Sequence, residues 1–313
     1  MAKGKKTSLK TVLSSQQSRL KKKQEAALAA QAAEKSKKGP QPKGKGKAIA
    51  QRSTIPFKPT DRILCIGEGN FSFTRALVCY PPSSLEFMPP SNVTATAYDS
   101  EDGCYAKYPD AAEIVAELRD KGVEVVFGVD ATKLEKCSPL KGRKWDRIVW
   151  NFPHAGKGLT DQDRNILSNQ ILILGFLRSA ANFLTDGPIP AVMPSRKRKR
   201  NEDEEDDPKS DAEREHADVT IACDVQTRGT ILITLRNVTP YILWDVPKLA
   251  KNPPPPSAQA NPNPRYIQLR SFVFRKQDWR GYEHRMTKGE RAHGQGKTGE
   301  GGEDRTWEFC LKE

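Results

Sequence analysis

The chain alternates short apolar runs with Gly, Pro and Asp breaks. Strand-like runs cover residues 62–66, 93–98, 123–129, 145–150 and 230–235, with two more at 267–274 and 306–311. Between them lie helical patterns. Residues 71–80 read as a short helix. Residues 110–121 are amphipathic, with Ile114, Val115 and Leu118 on one side and Gly122 as a stop. The longest helix is expected to begin at Thr160, where Thr160 and Asp163 resemble a capping box. Apolar residues cover most of its surface from Ile166 to Leu184, so it should pack against a sheet. Strands that are apolar through their centres and alternate with helices imply a mostly parallel sheet covered on both faces. The predicted class is α/β, a Rossmann-like doubly wound sheet.

Composition limits how much of the chain folds. Apolar residues make up 36%, low for a chain packed throughout. Lys and Arg number 52 against 39 Asp and Glu, a net charge of +13. Sixteen Lys and Arg against two Glu fall in residues 1–60, a net +14, so the remainder is near neutral. Residues 1–60 therefore read as a disordered basic tail. A mobile polycation releases counterions on meeting phosphates and suits a nucleic-acid arm; a solubilising tail or targeting signal is the alternative. The folded domain is assigned to 61–313, interrupted by a disordered charged insertion at 187–228. Within the insertion Arg196–Arg200 form a basic run, readable as a nuclear-import signal or a solvated charge cluster. Residues 252–264 and 289–304 are expected to be flexible loops. Roughly two hundred residues then remain for one domain. No apolar run reaches the ~18 residues of a membrane span, and the basic N-terminus lacks an apolar signal core. Six cysteines without C-x-x-C spacing and four histidines argue against structural zinc, so no metal is expected.

In a doubly wound sheet, ligands bind beyond the C-terminal ends of the strands. After the first strand come Gly67, Glu68, Gly69, Asn70 and Phe71; after the second, Asp99; after the third, Asp130 and Ala131; after the fourth, Asn151, Phe152, Pro153 and His154. Each piece alone has a bland reading, as a structural turn, a helix cap or a loop histidine. Their order, four polar features after four successive strands, marks a site. A nicotinamide dinucleotide fits poorly. Ser72 stands where the third glycine of G-x-G-x-x-G belongs, and Glu68 would face a pyrophosphate. A ligand with a cationic amino-acid end suits the turn better, and S-adenosylmethionine also carries a ribose for Asp99 and an adenine for Asp130.

The strings 63–73 (ILCIGEGNFSF) and 150–154 (WNFPH), with Leu174-Gly175-Phe176 and Tyr282-Glu283-His284-Arg285, resemble the eukaryotic large-subunit rRNA uridine-N3-methyltransferase family. The resemblance runs from about Asp61 to Leu311, outside the insertion and loops. It implies a class I S-adenosylmethionine-dependent methyltransferase with a seven-stranded sheet whose last strand is antiparallel. It also implies a nuclear, nucleolar enzyme acting on large-subunit rRNA or pre-ribosomal particles, and a monomer is expected. By resemblance, Gly67 and Gly69 pass under the methionine part of the cofactor, Asp99 holds the ribose and Asp130 contacts the adenine. The loop 151–154 resembles the N-P-P-Y-type motif that orients a planar nitrogen, but Phe152 replaces the first proline and His154 the aromatic. Either ring is then a stacking candidate. His154 is also a candidate base, because uridine N3 carries a proton that must leave.

Near the end, Trp279, Arg280, Tyr282, His284 and Arg285 interleave aromatic and basic residues, as RNA stacking or as a packed hairpin. Two alternatives remain: methylation of another RNA nitrogen, or a catalytically silent RNA-binding assembly factor with the same fold.

Overall fold

Seven strands among the described residues form one sheet in the order β3-β2-β1-β4-β5-β7-β6. The computed structural model describes Ser18, Lys22 and residues 53–190, 226–255, 262–287 and 302–312. The strands are β1 Ile63–Cys65, β2 Val93–Thr96, β3 Glu124–Val126, β4 Arg147–Asn151, β5 Thr230–Arg236, β6 Tyr266–Val273 and β7 Asp304–Leu311. Strands β1 to β5 pair in parallel, and β7 runs antiparallel to both β5 and β6. This is the predicted seven-stranded methyltransferase sheet with its last strand reversed.

The alternation of side chains along the central strands builds two cores. Leu64, Ile148, Trp150, Ile231 and Ile233 face one side, with helices α4 (Gln162–Ala180) and α5 (Val246–Lys251). Ile63, Cys65, Val149 and Leu232 face the other, with α1 (Ser72–Cys79) and α3 (Ala111–Asp120). A period of two places successive residues on opposite faces, so strands buried on both sides read as continuous apolar runs.

Several boundaries differ from the sequence reading. Residues 53–60, assigned by composition to the tail, belong to the packed domain. Phe57 is buried with its ring edge-on to Trp279 at 5.8 Å, and Ser53 Oγ donates to Asp278. A single aromatic in a basic stretch carries no periodic signal, which is why composition missed it. The long helix is capped by Asp161, not Thr160; Asp161 Oδ1 accepts from Arg164 N at 2.7 Å. Helix α2 (Glu101–Lys107) escaped notice because Gly103 sits inside it; Ser100 caps it, with Oγ accepting from Gly103 N at 3.2 Å.

The ends of the expected insertion and loop are also built in. Arg228 N donates to Pro188 O at 2.9 Å and Gly229 N to Thr185 O at 2.8 Å. In the loop, Arg178 holds Asn263 Oδ1 at 2.6 Å. The basic tail before residue 53 apart from Ser18 and Lys22, the Arg196–Arg200 run with the rest of 191–225, and residues 256–261 and 289–301 of the expected flexible loops lie outside the described residues.

The backbone bonds at Pro188 and Arg228 bring the two ends of the insertion side by side. Replacing residues 191–225 with a short Gly/Ser bridge should leave the melting temperature unchanged by scanning calorimetry. Gly229→Ala is the contrasting case. Its Cβ would lie 2.5 Å from Trp145 O and 2.8 Å from Thr185 N, both backbone. Overpacking of this kind costs ~1–3 kcal/mol, and the melting temperature should fall by about 2–4 °C for each kcal/mol.

Candidate functional site

The C-terminal ends of β1, β2 and β4, with the turn after β3, open into one cavity of about 940 Å³. All twelve residues singled out from the sequence line it: Gly67 to Phe71, Asp99, Asp130, Ala131 and Asn151 to His154. Their side chains, however, do different things.

The turn after β1 is shaped by protein contacts. Gly67 has φ +63°, and a Cβ there would sit 3.0 Å from the Trp150 indole nitrogen. A Cβ on Gly69 would press on Tyr108 at 3.2 Å and Arg285 at 3.3 Å. Asn70 and Phe71 are buried. Asn70 accepts from Ser72 N at 3.2 Å and donates to Asp110 Oδ2 at 2.8 Å. Phe71, at φ +62°, meets Phe127 edge-on at 5.4 Å. These two side chains fix the turn and leave its backbone for a ligand.

Glu68 is half-buried, and its carboxylate accepts from Thr74 N at 3.1 Å and Thr74 Oγ1 at 2.6 Å. Both bonds fall at the N-terminus of α1, where an acidic group complements the helix dipole. Burial outweighs the Thr74 bonds and pushes Glu68 up to about 7.

Asp99 leaves β2 and pairs with Lys107 Nζ at 2.6 Å. The Lys107 partner was invisible in the sequence because α2 itself was. Beside them Tyr98 is 72% exposed and lines the cavity. Asp130 is committed to its own turn. Oδ1 accepts from Thr132 N at 2.9 Å and Thr132 Oγ1 at 2.7 Å, and Oδ2 meets Lys133 at 3.1 Å. Burial raises its pKa, but these contacts outweigh it and hold the group below the usual range.

After β4, Phe152 has φ +52° and donates its N–H to Thr234 O at 2.8 Å. Its ring contacts are already made: His284 at 4.3 Å, Phe274 edge-on at 6.0 Å, and Lys276 Nζ at 5.4 Å from the centroid. Asn151 Oδ1 is buried without a hydrogen-bond partner. Such an atom costs ~1–3 kcal/mol unless something donates to it. His154 Nδ1 accepts from Gly156 N at 2.9 Å, which assigns the ring proton to Nε2. His154 also tilts against Trp244 at 5.9 Å, and Ala155 N ties the loop to Asn169 Oδ1 on α4 at 2.8 Å.

The C-terminal segment supplies a wall that residue patterns did not place. Ser72 Oγ donates to Glu283 O at 2.9 Å and accepts from Glu283 N at 3.1 Å. Tyr108 OH donates to Met286 O at 2.9 Å, and Arg285 meets Asp110 at 3.1 Å. Trp279 and Tyr282 are packed against Phe73 at 5.0 and 5.7 Å, so the hairpin reading applies to them. His284 stays open to the cavity, yet the protein around it and then Lys276 and Arg236 push its pKa down to about 4, against the pull of Asp304. One stripe of α4 completes the lining with Ser168, Ile171, Leu172, Gly175 and Arg178. Their spacing is helical, and only the exposure of Ile171 on an otherwise apolar helix distinguishes them from core.

Among the described residues no cluster of three His, Cys, Asp or Glu could hold a metal ion, and no helix is long and apolar enough to cross a membrane.

Three relatives bear on this site. A 25S rRNA (uridine(2634)-N(3))-methyltransferase of Saccharomyces cerevisiae is 28% identical over 266 residues, covering 77% of this chain and 70% of that protein. An uncharacterized protein of Arabidopsis thaliana is 38% identical over 145 residues, 45% of this chain and 66% of that one. The mouse ferredoxin-fold anticodon-binding domain-containing protein 1 homolog is 38% identical over 123 residues, which are 39% of this chain and only 18% of that protein. Residues 64–286 match the family of BMT5-like rRNA (uridine-N3-)-methyltransferases, and they hold the cavity lining except Thr287; the chain belongs to that family.

Proposed function

We propose that this chain methylates the N3 nitrogen of a uridine in large-subunit rRNA, with S-adenosylmethionine as the donor. The observation that carries the reading is the unpaired Asn151 Oδ1, buried in the loop that shares a cavity with the glycine turn. A buried acceptor at that place calls for a donor from the substrate; uracil N3–H is one on arrival, and that bond is given up when the N3 proton leaves.

The residues present fit the cofactor. The backbone of Gly67 to Gly69 is open to the cavity, and Glu68 offers a carboxylate for an ammonium group. Asp99 can accept from a ribose diol once it shares or releases Lys107. Asp130, bound to its own turn, leaves the backbone of Asp130 and Ala131 for the adenine edge. When bound, the cofactor supplies a methyl group on a cationic sulfur.

Asn151 Oδ1 orients the uracil edge. His154, with its proton on Nε2, donates to a uracil carbonyl and fixes which nitrogen faces the methyl group. Phe152 acts as the floor that sets the neighbouring rings, because its own contacts are already made. A basic arm of net charge +13 over residues 1–52 adds sequence-independent affinity for rRNA. A substrate of this class is consistent with work in the nucleolus on pre-ribosomal particles.

The direct test is single-turnover methylation of a uridine-containing rRNA fragment, with the product identified by mass spectrometry. A product methylated elsewhere than N3 would replace the reading. Asn151→Ala should slow transfer ~10² through lost alignment while cofactor affinity, read by calorimetry, stays unchanged. Asp99→Ala should weaken cofactor binding at least roughly tenfold, because a charge-assisted bond is worth ~1.5–3 kcal/mol.

Glu68 gives the pH signature. Its folded pKa of about 7 lies above the ordinary 4.5, so the folded protein holds the proton more tightly than the unfolded chain. That contribution to stability is complete below 4.5 and is lost as pH rises through about 7. An ammonium group beside the carboxylate reverses the trend. The thermal shift produced by the cofactor should therefore grow from pH 5 to about pH 8, and Glu68→Gln should flatten that growth.

A further inference from the structure

Methylation at N3 leaves a proton to be removed, and several cavity residues named from the sequence already hold other partners. His154 Nδ1 already accepts from Gly156 N at 2.9 Å. Glu68 is bound to Thr74, Asp99 to Lys107, and Asp130 to Thr132 and Lys133.

His284 is placed differently. On one side its neighbour Glu283 exchanges two hydrogen bonds with Ser72 at the start of α1, beside the glycine turn. On the other its ring lies 4.3 Å from Phe152 in the loop after β4. A methyl group carried over the glycine turn and a base held by the β4 loop meet where these two contacts cross. The place is well determined, because Phe152 is held at φ +52° by its bond to Thr234 O and by Phe274. Among the described residues neither ring nitrogen of His284 has a hydrogen-bond partner.

We propose that His284 is a catalytic residue of this site, the group that accepts the N3 proton of the target uracil. The inference rests on the functional reading above. In the step, the N3–H bond breaks and its proton bonds to an imidazole nitrogen of His284. The N3 electron pair forms the new C–N bond, and the C–S bond of the donor breaks with its pair left on sulfur. The charged groups around the ring keep it in its proton-accepting form, while weakening it as a base. Lys276, on the turn after β6, and Arg236, at the end of β5, keep the imidazole neutral before reaction, against Asp304 on β7. On its own segment, Glu283 and Arg285 pair with each other at 2.8 Å. The same two cations favour the negative charge that builds on the uracil oxygens as the proton leaves. They also make the imidazolium short-lived, so it passes its proton on to water.

The test compares wild type, His284→Phe and His284→Gln in single-turnover methylation of a uridine-containing rRNA fragment from pH 5 to pH 9. Cofactor affinity by calorimetry and melting temperature are measured alongside. His284→Phe keeps a ring on Phe152 and removes the base. Its rate at pH 7 should fall ~10²–10⁴ and climb about tenfold per pH unit as hydroxide takes over, with cofactor affinity and melting temperature unchanged. Wild type should hold its rate down to about pH 5. A His284→Phe rate equal to wild type at pH 7, or a loss that does not recover with pH, overturns the proposal.

A readout without turnover comes from the imidazole resonances of the four histidines, assigned by substitution. The His284 signal should titrate near pH 4, and Lys276→Gln should move it upward. A His284 ring still charged at pH 7 would overturn the proposal. Failure of wild type to methylate any uridine would instead fall on the functional reading, while normal wild-type activity with a normal His284→Phe falls on this inference alone.

Discussion

The site exists because the strand order reverses between β1 and β4. Both strands are parallel and adjacent, with Ile63 opposite Arg147 and Cys65 opposite Val149. The chain leaving β1 turns to one face of the sheet to form α1, and the chain leaving β4 crosses to the other to form α4. Connections that diverge from neighbouring strands must leave a crevice between them. The two lips still touch at one point. Gly67 leaves room for the Trp150 indole, and any side chain there would force the lips apart. The turn backbone and the Asn151–His154 loop are therefore held at a fixed separation by a contact that belongs to the core.

The remaining wall is built from residues far apart in the chain. Phe57 packs on Trp279, Trp279 on Phe73, and Phe73 on Tyr282, which in turn meets Phe274. This aromatic series ties the segment before β1 and the segment after β6 to helix α1. Asp110 draws in the next layer, accepting from Asn70 in the glycine turn and from Arg285 in the wall. A change in this packing would move His284 relative to the turn without touching either ligand site. Sub-ångström placement matters in such a cavity, since misplacement by about 1 Å can cost ~10² in rate.

How much of this was legible follows from where each signal sits. The strands were legible because continuous apolar runs bounded by Gly and Asp have few other readings, and strand ends then pointed to the turn and the loop. Asp99 and Asp130 were found by the same rule, but their partners were not. Lys107 lies on a helix disguised by Gly103, and Thr132 binds Asp130 through a local turn that any Asp-x-Thr sequence permits. The sequence pointed to His154 because it stands inside a recognisable string. Its engagement with Gly156 is a matter of loop conformation that residue types do not encode. His284 stood in a string as recognisable, yet its position opposite Phe152 depends on the order of β6 and β7 in the sheet. Long-range placement of that kind has no local signature.

Glu68 and His284 show what burial does to two opposite groups in one cavity. The carboxyl is pushed up to about 7 and the imidazole down to about 4, so both move toward their neutral forms. Desolvation disfavours charge of either sign, which is why the two shifts oppose each other on the pH scale. At these two points the cavity is therefore shifted toward carrying little charge of its own. On the reading proposed above, a cationic donor entering over the glycine turn would recover the Glu68 carboxylate and be held by it. Around the imidazole, burial and then Lys276 and Arg236 outweigh the pull of Asp304, so the ring stays neutral. On that reading a neutral uracil would enter without displacing an ion. Charge is thus supplied to the cavity by the reactants, each at the side chain whose neutral form was prepared for it.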